Sequence, residues 1–114
     1  MKLEILQYLE NKLEKNPLFM QLVRQLEKDF QLSVASDLIF NAQTAEELVV
    51  ETQFFLEKVA VNTPAKFSSL LYRIDVAEAD INNLQAGNLA EYLEQVTFLV
   101  LKREFQKVYI RNTL

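Results

Sequence analysis

The fold of this chain is decided by the stretch Val96-Thr97-Phe98-Leu99-Val100-Leu101. At about 100° per residue of a helix, its apolar side chains leave no arc wider than roughly 100° without a large hydrophobe. A helix that is apolar on every side at its middle is one that other helices surround. The sequence therefore predicts that residues 88–110 form the most enclosed helix of a small bundle, with Leu99 in the core.

The composition also favours long helices. The 114 residues include one glycine, two prolines and no tryptophan, cysteine or histidine. So few turn-forming residues leave little room for the tight turns of a β-sandwich. We therefore predict an all-α fold in which residues 1–114 form a single helical domain, a bundle of about five helices around the buried C-terminal helix.

Two helices and a loop are predicted for the first part of the chain. A leucine stripe predicts a helix over residues 2–15, which ends at Asn16 because the residue before a proline is disfavoured in the α region. Pro17 then begins a second helix, to about residue 31, and the short break predicts that the two helices lie antiparallel. Residues 32–43 follow no helical or alternating pattern and are predicted as a loop with room for one helical turn.

Three consecutive residues of this loop, Leu38, Ile39 and Phe40, are strongly apolar. One interpretation is that they plug an end of the bundle. The other is that they form an exposed anchor for a partner. The plug is favoured, and the anchor stays open.

Start and stop signals divide the second half into four helices. Thr44 and Glu47 form a capping box, in which the threonine accepts from the amide of Glu47 and the glutamate reaches back to the amide of Thr44, before a helix that runs to about Val61. Gly87 is expected in the left-handed conformation that ends a helix. The other predicted starts are Thr63-Pro64 for a helix through Ile74, Asp75 with Glu78 for a short helix, and Asn88 with Glu91 for the last helix.

The absence of histidine and cysteine removes many kinds of active site. It excludes serine–histidine and cysteine nucleophile systems, the usual zinc sites and the Glu-x-x-His di-iron bundles. Oxygen ligands alone remain for a metal such as Mg²⁺ or Ca²⁺, and helix capping is the simpler role for most of the acids that could supply them. The three carboxylate sets at helical spacing are Glu47 with Glu51, Glu91 with Glu94, and Asp75 with Glu78 and Asp80.

A buried general acid or base is not expected either. We expect no acid to be flanked by hydrophobic residues on every side of its helix. Glu51 comes nearest to such a position. A glycine-rich phosphate loop is excluded because the chain has a single glycine. We therefore expect no catalytic activity and no cofactor.

The charge pattern bears on partners and location. A net charge of −4 argues against nucleic acid or an acidic membrane as the partner of the whole surface. No apolar run approaches the ~20 residues that span a membrane, and the opening residues do not form a secretory leader. The lack of cysteine is compatible with a cytoplasmic location, which we expect.

The end of the chain is basic, with Lys102, Arg103, Lys107 and Arg111 opposed only by Glu104. Such a strip can dock an acidic partner or nucleic acid. It can also stabilise the helix end through the helix dipole, which is the favoured interpretation, or pair with the acidic region 75–94 of the same chain.

Two segments, Leu70-Leu71-Tyr72-Arg73-Ile74-Asp75-Val76 and Leu101-Lys102-Arg103-Glu104-Phe105-Gln106-Lys107-Val108, carry a resemblance. Around them the chain resembles small helical proteins of Bacteroidetes bacteria that have no assigned activity. The resemblance implies a bacterial cytosolic protein and no catalytic or binding residues.

Together these features favour a non-catalytic helical protein-interaction or self-associating module, whose partner is another protein or a second copy in a homodimer. Eight phenylalanines, four tyrosines and apolar positions outside the helical stripes motivate it. The alternatives are a nucleic-acid-associated regulator that uses the C-terminal basic strip and a small oxygen-ligand metal-binding protein. The candidate partner-binding residues are Leu38, Ile39, Phe40, Lys102, Arg103, Lys107, Tyr109 and Arg111.

Overall fold

The computed structural model describes residues 16–113, and within them the regular elements are α-helices without a β-strand. The all-α bundle predicted from the sequence is confirmed. The helix predicted over residues 2–15, and its pairing with the next helix, lie outside the described residues. The helices are α1 (Asn16–Ser33), α2 (Ala45–Asn62), α3 (Pro64–Ile74), α4 (Glu78–Asn82) and α5 (Leu89–Thr113).

The core lies among α1, α2, α3 and α5. The C-terminal helix α5 packs against the other three, and α1 and α2 each pack against α3 as well. Burial of one apolar face per helix supplies the main favourable term for this arrangement. The large hydrophobic side chains that are fully enclosed come from all four helices: Leu22, Leu26, Phe30, Leu48, Leu56, Leu70, Ile74, Leu93 and Leu101.

The middle of α5 is enclosed on most sides but not all. Val96, Val100 and Leu101 are fully buried, whereas Phe98 and Leu99 are only half-buried. The prediction that Leu99 lies fully in the core is therefore wrong. Its side chain lies at a shallow groove beside the connection between α3 and α4, so this face of α5 is covered by a loop and the short helix rather than by a long helix.

Two predicted N-terminal caps are confirmed. The hydroxyl of Thr44 accepts from the amide of Glu47 at 3.1 Å, and the side chain of Asn88 accepts from the amide of Glu91 at 2.9 Å. Both glutamates reach one residue further back than a standard capping box, to the amides of Gln43 at 2.9 Å and Gly87 at 2.8 Å. Pro64 begins α3 at its first turn as predicted, but Thr63 makes no side-chain cap.

The connection between α3 and α4 differs from the prediction. Asp75 does not cap the following helix; it ends α3 in the left-handed conformation, with φ 71° and ψ 43°. The amide of Val76 donates to the carbonyl of Leu71 at 3.1 Å, which is the bond of a Schellman ending. Gly87 has no positive φ, because α4 already ends at Asn82 and leaves Gly87 in the turn before α5. None of the helices described over residues 16–113 is long and apolar enough to cross a membrane.

Candidate functional site

Helix α2 is apolar on two opposite sides. Its buried side is formed mainly by Leu48, Val49, Thr52, Leu56 and Val59. On the other side Val50, Phe54 and Val61 are 49%, 56% and 59% exposed. At about 100° per residue these three fall within an arc of about 40° that points away from the core. We call them the outer face of α2; they extend over about 16 Å of helix.

A groove runs along the first half of this outer face. It has a volume of about 720 Å³, and Val50 and Phe54 form its apolar side. The opposite wall is formed by Asn41, Ala42 and Thr44. Those residues belong to the connection between α1 and α2, residues 34–44, which we call the strap. A helix face beside a fixed wall makes a concave surface, the shape that suits a bound peptide or helix.

Carboxylates from α1 and α2 hold the strap in place. The amide of Phe40 donates to Glu27 at 2.9 Å. The amides of Asn41 and Ala42 donate to the two carboxylate oxygens of Glu51 at 2.8 and 2.9 Å. These charge-assisted bonds satisfy consecutive backbone donors that would otherwise face solvent or the core. The groove wall is therefore held by hydrogen bonds within the protein.

The strap is also anchored through its aromatic residue. Phe40 is buried, and its ring lies edge-on to those of Phe30 and Phe55 at 5.2 and 5.1 Å between centroids. Leu38 is half-buried against the core, and its carbonyl accepts from Gln31 at 2.9 Å. Ile39 alone of the three predicted residues is exposed, at 59%. Two of them thus have the geometry of a plug rather than of an anchor for a partner.

The outer face of α2 is bordered mainly by acids. Residues 45–62 carry four glutamates and one lysine. Glu46 and Glu57 are exposed beside the outer face, and the amino group of Lys58 lies 5.4 Å from the centre of the Phe54 ring. The potential along this groove is therefore negative.

Half of the predicted basic strip is used within the protein. Arg103 donates to the carboxylate of Asp75 at 2.9 Å and to its carbonyl at 3.1 Å. Lys107 pairs with Asp29 at 3.1 Å and also with Glu104. The pairing of Arg103 with Asp75 is a contact between the basic strip and the acidic region 75–94, which the sequence analysis left open. Lys102 lies 6.0 Å from the centre of the Phe98 ring, and Tyr109 and Arg111 are exposed near the end of α5.

The partners of Lys107 form a buried acid pair between α1 and α5. Glu104 is fully buried, Asp29 is 5% exposed, and the amino group of Lys107 pairs with both carboxyl groups. Burial raises the pKa of Glu104 to about 9, the adjacent Asp29 carboxylate adds to this rise, and Lys107 opposes it. Burial also acts to raise the pKa of Asp29, but the neighbouring Glu104, Gln25 and Lys107 outweigh it and lower that pKa. A carboxyl group with a pKa of about 9 is protonated at neutral pH, so Glu104 is neutral beside the ionised Asp29.

The sequence analysis missed Glu104, and a signal for it was present. Val100, Leu101, Phe105 and Val108 surround Glu104 at helical spacings of one, three and four, so hydrophobes do border this acid. The expectation that no acid is buried, with Glu51 the nearest, is wrong, because Glu104 and Asp29 are both buried. Glu51 is instead half-buried at the surface, where it binds the strap. The carboxyl oxygens of Glu104 have no accessible surface, so a substrate cannot touch them in this conformation.

The carboxylate sets considered for a metal are dispersed or engaged. Glu47, Glu51 and Glu91 accept from backbone amides, and Asp75 accepts from Arg103. Across residues 16–113 no group of three or more acids is arranged to hold a metal ion.

Comparison of the chain with protein-family models, curated proteins and solved structures finds no match. No relative therefore contributes a binding or catalytic residue to the site.

Proposed function

We propose that this protein is a non-catalytic interaction module that binds a segment of another protein along the outer face of α2. The observation that carries the proposal is the alignment of Val50, Phe54 and Val61 on the side of α2 opposite the core. Single exposed hydrophobes are common on soluble proteins, but a line of three beside a concave wall is typical of a docking surface.

The chemistry of the groove defines the partner. An apolar floor with glutamates on both sides fits an amphipathic helix that carries large apolar residues at intervals of three to four, flanked by lysine or arginine. A second copy fits less well, because two α2 helices face to face would bring four glutamates and one lysine from each chain together. The partner is therefore a different chain with a basic, apolar segment.

Helix-forming peptides test the proposal. The full chain is immobilised and used to select from a displayed library of random peptides of about 16 residues. We expect enrichment of sequences with apolar anchors one helical turn apart and basic flanks. Phe54→Glu should weaken binding of the selected peptides at least about tenfold, since a central aromatic anchor contributes on the order of 2 kcal/mol or more.

Tyr72→Glu is the matched control, because Tyr72 is 88% exposed on α3 and does not line the groove. This variant should bind the peptides like the parent protein. Peptides that bind both variants equally, or a library that yields no enriched class, would refute the proposal. A stable homodimer in sedimentation that Phe54→Glu dissociates would replace the foreign partner with a second copy.

A further inference from the structure

A second groove, between α1 and α5, has the opposite charge. It is lined by Gln21, Arg24, Gln25, Lys28 and Arg111 and has a volume of about 270 Å³. The four α1 residues stand at positions i, i+3, i+4 and i+7, so they share one face of the helix. Arg111 comes from α5, more than eighty residues later in the chain. We call this the cationic groove; its lining contains three cations, two amides and no acid.

The amide side chains form a fixed wall of the cationic groove. The side chains of Gln21 and Asn112 exchange two hydrogen bonds, at 2.7 and 3.4 Å, and so join α1 to the end of α5. Gln25 donates to the Asp29 carboxylate at 3.0 Å. These bonds orient both glutamines, while the three cations are exposed at the rim. The two glutamines therefore link the wall of the groove to α5 and to the buried Asp29.

The cations of the groove have no counter-charge among the described residues. No ion pair joins Arg24, Lys28 or Arg111 to an acid within residues 16–113. Asp29 follows Lys28 in sequence, but it is buried, and its carboxylate is bound by Gln25 and Lys107. In a chain of net charge −4, three converging cations produce a local field that favours an anion.

We propose that the cationic groove binds a compact phosphate compound, such as a diphosphate. Guanidinium groups bind phosphate oxygens with paired hydrogen bonds, and a lysine adds a point charge. The volume lies just below the ~300–1,000 Å³ of pockets that enclose drug-sized ligands, which suits a small multivalent anion. The site is separate from the outer face of α2 and does not depend on the function proposed for it.

Titration calorimetry of the full chain with inorganic pyrophosphate tests the site. We expect saturable binding that Arg24→Gln/Arg111→Gln weakens at least about tenfold, because a hydrogen bond to a charged group contributes about 1.5–3 kcal/mol. The control is Lys58→Gln/Lys102→Gln, which removes two positive charges from exposed positions outside the groove. This control should bind pyrophosphate within about twofold of the parent protein.

Three results would overturn the assignment. The first is no heat of binding with pyrophosphate. The second is an equal loss of affinity in both double variants, which would mark a response to net charge alone. The third is stronger, salt-sensitive binding of duplex DNA or RNA that the groove variant abolishes, which would make the ligand a nucleic acid rather than a compact anion.

Discussion

The protonated carboxyl group of Glu104 on α5 is buried beside the carboxylate of Asp29 on α1, and Lys107 pairs with both. The three groups together carry no net charge at neutral pH, which lowers the cost of burying them. They also join the first and last described helices through polar contacts inside an apolar core.

Stability should fall as the pH rises. The pKa of Glu104 is raised from 4.5 to about 9 in the folded state, so between these values unfolding releases a proton. The stabilisation by protonated Glu104 is complete below pH 4.5 and is lost as the pH approaches 9. The free energy of unfolding should decrease across this window, by at most about 1.4 kcal/mol per pH unit. Denaturant unfolding at about pH 5, 7 and 8.5 measures it.

The composition makes this experiment specific. With no histidine or cysteine in the chain, no other side chain of ordinary pKa titrates between about pH 6 and 8.5, so the change across that part of the window reports on Glu104. Glu104→Gln keeps the shape and a neutral polar group beside Asp29 but cannot lose a proton, so its stability should be nearly constant over the same range. The exposed Glu57→Gln should behave like the parent protein. A parent protein of constant stability from about pH 6 to 8.5 would contradict a protonated Glu104.

The left-handed residue at the end of α3 gives a second prediction. Asp75 has φ 71°, and Arg103 binds both its carboxylate and its carbonyl. Asp75→Asn tolerates this backbone and should change the free energy of unfolding by less than about 1 kcal/mol, because the Asp75 side chain is 75% exposed. Asp75→Val should cost about 1–2 kcal/mol more than Asp75→Asn, since a β-branched residue is strained at positive φ. Equal thermal unfolding of the two variants would show that the backbone relaxes.

The strap should loosen when Glu51 is removed. Glu51→Ala deletes the acceptors of the Asn41 and Ala42 amides, so exchange of these two amide hydrogens with solvent should accelerate at least about tenfold. Amide hydrogen exchange by NMR measures this change residue by residue. In the control, Glu57→Ala, exchange at both amides should be unchanged because Glu57 does not line the groove. Unaltered protection in Glu51→Ala would mean that the Phe40 ring and the bonds from Glu27 and Gln31 fix the strap without Glu51.

Burial along α5 predicts that alanine substitutions at Leu99 and Leu101 lower the free energy of unfolding by different amounts. Leu101→Ala empties a fully enclosed position and should cost about 2–5 kcal/mol. Leu99→Ala should cost clearly less, because half-buried Leu99 lies at a shallow groove where water can enter. Chemical denaturation of both variants decides the order. If Leu99→Ala is the more damaging, the enclosed side of α5 has been assigned to the wrong residues.

Helix periodicity and caps predicted most of the fold. The breaks at Pro64, Thr44 and Asn88 depend on local backbone chemistry, and each marks a helix boundary in the structure. The roles of Asp75 and Gly87 were predicted wrongly, because N-caps and left-handed helix ends both favour short polar residues or glycine. A short helix such as α4 therefore cannot be placed from the residues at its ends alone. The half-exposed side of Leu99 depends on which helices lie beside it, and sequence periodicity does not contain that information.

The candidate site was less predictable. From the sequence, Arg103 and Lys107 belong to a basic strip along α5 that has no evident partner. Their partners Asp75 and Asp29 lie 28 and 78 residues away in sequence, so only the folded structure shows these ion pairs. Val50, Phe54 and Val61 do align on a helical projection, but the opposite side of α2 is also apolar, and only the packed structure shows which side is covered.

The most direct test of the proposed function is to map a bound peptide on the protein. Amide chemical shifts of the full chain are recorded with and without a peptide selected for binding. If the peptide binds the outer face of α2, the largest chemical-shift changes are expected at Val50, Phe54 and Val61. Smaller changes are expected at Ala42 across the groove. Changes centred on Tyr109 and Arg111 at the end of α5, with α2 unaffected, would contradict the account.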